Sequence, residues 1–273
     1  MRIVKVLFSV IIVSTFGCAS QKPVTVTIPQ DAKIGIMYLI DERPRHVHVG
    51  TTVFNNFTKM DVSDWSVRQA LTDHIRKEIL SKYNFTILEI EPTSVLMENR
   101  TNLYKLGWNR MYLKEEYVSE IFKVTKDLNI DFLITIEPFN ADVEGHTPVS
   151  SDGYGLLTRC TIGYCYAKGL NHVASKVYAM KPPKIISWSK SLTYYSSDLP
   201  IEIDFSNGIK NLPKTEIDKA KEPVIQFMKE RIDSALERSP LIDKSNKKMQ
   251  ATQETVHLIY ALALTKFKLD VYV

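Results

Sequence analysis

Residues 33–240 predict an α/β body of the α+β kind, a mixed central sheet with elements in the order β-α-β-α-β-β-β-α and helices packed on the sheet. Three observations carry this. Lys33-Ile34-Gly35-Ile36-Met37-Tyr38-Leu39-Ile40 is a nearly continuous apolar run, as a central strand covered on both faces requires. Two segments with apolar residues every three or four positions alternate with that run and two further strand-like runs. Three more runs of strand character then follow one another, before a last amphipathic helix.

Each element has its own signal. Asp41-Glu42-Arg43-Pro44 ends the first strand. A helix over 63–83 places Val67, Leu71, Ile75 and Ile79 on one face. Asp61, Ser63 and Asp64 are its cap candidates and put negative charge near the positive end of its dipole. Residues 85–90 form a second strand closed by Pro92, and 117–129 a second helix with Ile121, Val124 and Leu128 on one side. A third strand over 130–136 ends at Glu137-Pro138. Strands follow at about 155–166, 172–180 and 185–195, and Lys181-Pro182-Pro183-Lys184 turns the last two into a hairpin. Residues 215–237 read as a long helix with Ile217, Ala220, Val224, Met228, Ile232 and Ala235 inward. Pro223 falls inside that pattern, so the helix either begins there or kinks. Ser239-Pro240 stops it, and no internal repeat is present. The extension over 241–273 is either a terminal element docked on the body or a segment that finds a partner or another copy.

Ahead of the body, Arg2 and Lys5 precede an apolar run from Val6 to Phe16 and then Gly17-Cys18-Ala19-Ser20. This is the layout of an export signal. Ser14-Thr15-Phe16-Gly17-Cys18 resembles a bacterial lipobox, which implies that residues 1–17 are removed and Cys18 carries lipid. Gly17 and Cys18 match that pattern, and Thr15 and Phe16 depart from its commonest form. Ala19, being non-acidic, implies sorting to the outer membrane, with the body facing the periplasm. Each buried methylene contributes about 0.8 kcal/mol and stable anchoring takes more than one acyl chain, which a triacylated cysteine supplies. The alternatives are a secretory signal cut near Ala19 or Ser20 and a retained membrane helix. The apolar run falls short of the about 20 residues that a helical span needs. Residues 18–32, polar and β-branched with two prolines, read as lipid anchor and flexible tether.

About 255 residues remain after the signal, enough for one large domain. The net charge of +4 comes with no basic stripe, so nucleic acid is not an expected partner. Of three cysteines, Cys160 and Cys165 remain after Cys18. In an oxidising compartment they either bridge, closing a small loop in which Gly163 permits a tight turn, or stay as two partly buried thiols. Four residues between them do not fit a Cys-x-x-Cys redox site.

His46-Val47-His48 puts two imidazoles on one side of a strand, a geometry that chelates a metal if His146 or His172 completes the set. The competing reading is an exposed histidine-rich turn. The following stretch, Val49 to Phe57, lies after the first strand, where α/β folds place binding surfaces. Arg43, Arg45, Phe54 and Phe57 are the residues expected to meet a partner there; the alternative is an Ω-like loop covering the sheet edge. No nucleophile elbow, phosphate loop or His-Glu-x-x-His occurs, so neither a catalytic motif nor a cofactor site is expected.

The element order behind a lipobox resembles envelope lipoproteins whose body is like the N-terminal domain of the Tol-Pal β-propeller protein. Such bodies also occur in the curli-secretion channel lipoprotein and in lipoprotein activators of peptidoglycan synthases. The resemblance spans about residues 33–238 and rests on that order and on strand phrases such as Ala174-Ser175-Lys176-Val177-Tyr178-Ala179 and Ile186-Ser187-Trp188-Ser189. It implies an accessory or assembly protein that binds an envelope partner. A periplasmic metal-binding protein or hydrolase, and an oligomeric secretion component built from several copies, are the alternatives. Cys18→Ala is expected to release the protein from the outer membrane in fractionated cells; unchanged retention of the full-length variant counts against the anchor.

Overall fold

The computed structural model describes residues 26, 28–61, 63–80, 83–106, 111–143, 149–189 and 196–242. Cys18 and the extension beyond 242 lie outside the described residues. The chain runs through β1 (Lys33–Tyr38), β2 (Arg45–Val49), a 3-10 turn (Val53–Asn55), β3 (Phe57–Met60), α1 (Val67–Leu80), β4 (Thr86–Ile90) and α2 (Ser94–Glu98). It continues with β5 (Tyr104–Leu106), β6 (Met111–Leu113), α3 (Glu115–Thr125), a 3-10 turn (Lys126–Leu128), β7 (Phe132–Pro138), β8 (Ala141–Asp142) and β9 (Ser150–Ser151). Then come β10 (Gly153–Thr161), β11 (Tyr164–Met180), β12 (Pro183–Trp188), β13 (Ser196–Ile201), a 3-10 turn (Ile209–Asn211), α4 (Lys214–Asp218) and α5 (Lys221–Leu236).

Alternation along β1 sets up the layers. Ile34, Ile36 and Tyr38 enter one core, while Met37 and then Leu39 enter a second on the opposite face. The first core is filled by Leu71 and Ile75 of α1 and by Val224, Met228 and Ile232 of α5. The second is filled by Leu96 of α2 and by Tyr117 and Ile121 of α3. Between these helix layers runs a mixed, curled sheet in the order β3-β2-β10-β11-β7-β1-β4, with β12 and β13 also paired to β11. β1 is parallel to β4 and β7, and β2 is parallel to β10, whereas every pairing of β11 is antiparallel. The fold is α+β.

β11 holds the two halves together. Its first half pairs with β10 and β13, and its second half with β7 and β12. The strands expected at 155–166 and 172–180 are therefore redistributed: Gly163, at φ +81°, turns the chain inside the first of them, and everything from Tyr164 to Met180 is one strand. The pair Cys160 and Cys165 sits in cross-strand register just below that turn and is disulfide-bonded. Close approach at the other end of β10 explains Gly155. A Cβ there would lie 2.0 Å from the Arg45 carbonyl oxygen, and its φ of +147° disfavours any side chain.

The helices differ from expectation where the chain tightens. α3 gives way to the 3-10 turn at Lys126, which rotates Leu128 out to 37 % exposure instead of leaving it in line with Ile121. Pro223 neither starts nor kinks the last helix. It is the third residue of α5, in the first turn, where a missing N–H costs nothing, and α4 is a separate short helix before it. All six of the inward residues expected for this region are buried. Toward the termini, Val26 and Ile28 pack on the body within the stretch read as a tether, and Leu241 is buried in the same core.

Where β7 meets β11, the second core contains charge. Lys176 lies opposite Thr135 and diagonal to Glu137, and the two charged groups form an ion pair that is almost wholly buried. The ammonium sits 3.8 Å from the Tyr104 ring centroid, and the Tyr104 hydroxyl donates to Glu137 Oε2 at 2.5 Å and bonds the Tyr178 hydroxyl. Burial drives the Lys176 ammonium well below its ordinary pKa and both tyrosines above theirs. A half-removed pair is worse than none. Lys176→Met or Glu137→Gln alone is expected to lower the unfolding free energy by about 3–5 kcal/mol in denaturant titrations, and Lys176→Met with Glu137→Leu to recover most of it.

Candidate functional site

Alternation in β2 puts His46 and His48 on one face, and β10 brings Thr158 beside them. The Thr158 hydroxyl lies 2.9 Å from His46 Nε2 and 2.9 Å from His48 Nδ1. A single hydroxyl donates once, so one imidazole accepts from Thr158 and the other donates to it. Phe57 of β3 closes the group, edge-on to His46 at 5.0 Å and stacked on His48 at 5.1 Å. These histidines are thus buried strand residues and not an exposed turn. Burial, helped by the nearby charge of Lys59, pushes His46 down to about 4, and burial also lowers His48.

His172 does not join them. Its Nδ1 bonds the Ser151 carbonyl at 2.7 Å and its ring stacks on Phe139, while His146 lies outside the described residues. The one cluster of three metal-ligating groups among the described residues lies elsewhere, at His74, Glu78 and Asp233.

The basic residues of the loop after β1 separate. Arg43 is exposed. Arg45 instead bonds Asp41 Oδ2 through Nη2 at 2.8 Å and Asp152 through Nη1, and Arg100 reaches the same Asp41 oxygen at 2.9 Å. Two arginines and two aspartates thus tie the end of β1 to the start of β10. The Tyr154 hydroxyl adds a 3.0 Å bond to the Asp41 carbonyl.

The phenylalanines separate too. Phe57 is half-buried against the histidines, whereas Phe54 is 91 % exposed. Beyond it, the β10–β11 turn presents Ile162 at 92 % and Tyr164 at 64 % exposure. Strand register places both features at one end of the sheet, since Val49, which precedes the loop, pairs with Arg159, which precedes the turn. Thr51 Oγ1 donates to the Cys160 carbonyl at 3.4 Å and links them. A cleft of about 340 Å³ lies on one side of the disulfide, between His48, Phe57, Cys160 and Lys210. Another of about 470 Å³ lies on the other side, between Tyr164, Tyr166, Ile203 and Phe205.

No family model, curated protein or solved structure matches the chain. Among the described residues no helix is long and apolar enough to cross a membrane.

Sequence reasoning missed Ile162 and Tyr164, although the short Cys160–Cys165 spacing already marked the turn that carries them. It also missed Asp152 and Arg100 as partners of the loop, for which sequence holds no signal at such separations. His74 and Glu78, four apart on a helix, were visible as a spacing and were passed over.

Burial of the histidines has a pH consequence. His46, His48 and His172 all have lowered pKa values when folded, so between pH 6.5 and about 4 the unfolded chain binds more protons. Stability is fully present above pH 6.5 and falls with acidification by up to about 1.4 kcal/mol per pH unit for each histidine. Urea unfolding across that range checks this, and His46→Gln is expected to flatten the slope.

Proposed function

We propose that the protein is a lipid-anchored binding module of the cell envelope, which docks a protein partner through the apolar rim around the Cys160–Cys165 turn. The exposure of Phe54 and Ile162 on a stapled, strand-backed end of the sheet carries this reading. A disulfide suits an oxidising compartment outside the cytosol, in keeping with the export signal and with Cys18 as the lipid attachment point. Large apolar side chains held out to solvent on a rigid support cost little further ordering on binding. Clefts on both sides of the disulfide give a partner's own side chains somewhere to enter.

The residues that support docking are Phe54, Ile162 and Tyr164. Arg45, held by Asp41 and Asp152, stands at the opposite end of β2 and β10 from this rim. Photo-crosslinking residues placed at position 54 or 162 in intact cells are expected to trap one and the same envelope protein, while position 122, which is also exposed but on α3, traps none. Phe54→Ser with Ile162→Ser is expected to weaken capture by about tenfold or more without changing the circular dichroism spectrum. Equal capture from position 122, or full capture by the double variant, counts against the rim.

A further inference from the structure

We infer that His74, Glu78 and Asp233 form a binding site for a first-row divalent cation, zinc in the first place, which clasps α1 to α5. The site owes nothing to the docking rim.

His74 and Glu78 are four residues apart on α1, so they stand one above the other on a single face of the helix. That face turns toward α5, which supplies Asp233, and His74 Nε2 already lies 2.7 Å from Asp233 Oδ1. One ligand atom from each of the three groups lies within 4.8 Å of the others. Ligands held at about 2.1 Å around a tetrahedral ion stand about 3.4 Å apart, so small side-chain rotations close the set. The backbones are already placed, because buried residues on either side of the ligands lock both helices. Ile75 and Ile79 do so on α1, and Ile232 and Ala235 on α5.

The donor set decides the ion. An imidazole nitrogen with two carboxylate oxygens suits zinc and its neighbours, whereas calcium and magnesium take all-oxygen sets. All three residues are half-buried, so carboxylate charge is partly desolvated while the outward position stays open to water. Three protein ligands with one open position is the arrangement in which zinc keeps a solvent molecule. Without metal, the same groups still hold a His74–Asp233 hydrogen bond between the helices, so the fold does not require the ion.

The test uses the full mature chain, purified without a histidine tag and stripped with chelator. Titration with zinc is expected to show one ion bound per chain at micromolar affinity or tighter, with a rise in melting temperature. Cobalt in its place is expected to give visible absorption, and X-ray absorption at the zinc edge to show one imidazole among oxygen ligands. Glu78→Gln and His74→Gln are each expected to weaken zinc binding at least tenfold, whereas Asp73→Asn on the exposed side of α1 leaves it unchanged. Absence of stoichiometric zinc in the wild-type chain overturns the inference. So does binding that survives both ligand variants, or a spectrum with two imidazoles, which assigns the ion to His46 and His48. If a variant fails to fold, the wild-type stoichiometry and ligand spectrum still decide.

Discussion

Nearly every residue of β11 from Ala167 to Tyr178 is buried, and a buried backbone cannot turn to water for its hydrogen bonds. Four different strands pair with this seventeen-residue strand, and at residues 167–170 and 176–179 it has partners on both sides. This one requirement organises the molecule. The parallel group β4-β1-β7 is joined to the group β3-β2-β10 only because β11 passes from one to the other, and α5 packs over it from the helix layer.

Register along such a strand needs specification, since a slip by one residue exchanges its two faces. β11 carries buried polar residues that make the register costly to change. His172 bonds the Ser151 carbonyl, the Ser175 N–H donates to Ser189 Oγ, and Lys176 meets Glu137. Each has a partner in one alignment only. The Cys160–Cys165 bond fixes the opposite end, so the hairpin tip that carries Ile162 and Tyr164 is held between a covalent link and a long buried strand.

Much of this was legible in the sequence. The apolar run of β1, the four-residue spacing of Val67, Leu71, Ile75 and Ile79, and the inward face from Ile217 to Ala235 are strong periodic signals, and each set is buried. Short elements were not legible. α2 has five residues and β5 and β6 three each, too few for a period to show, and they form because Leu96 and Leu103 complete the core under α3. β13 was missed for a similar reason: Pro200 argues against a strand, yet it lies opposite Lys168 on the outer side of β11.

Composition and local pattern alone determined the fold class, the inward faces of α1 and α5, the strand that starts the body and the spacing that lets Cys160 reach Cys165. Local pattern suffices there because the physics is local: alternation, helical period and turn chemistry act over a few residues. Tertiary structure alone decided that Arg45 is held by Asp41 and Asp152 while Phe54 stands free of the core, that two histidines share one threonine, and that a histidine on α1 meets an aspartate on α5. Those pairings join residues up to 159 positions apart. No local pattern encodes them, because they exist only once the sheet has brought the strands into register and the helices onto its face.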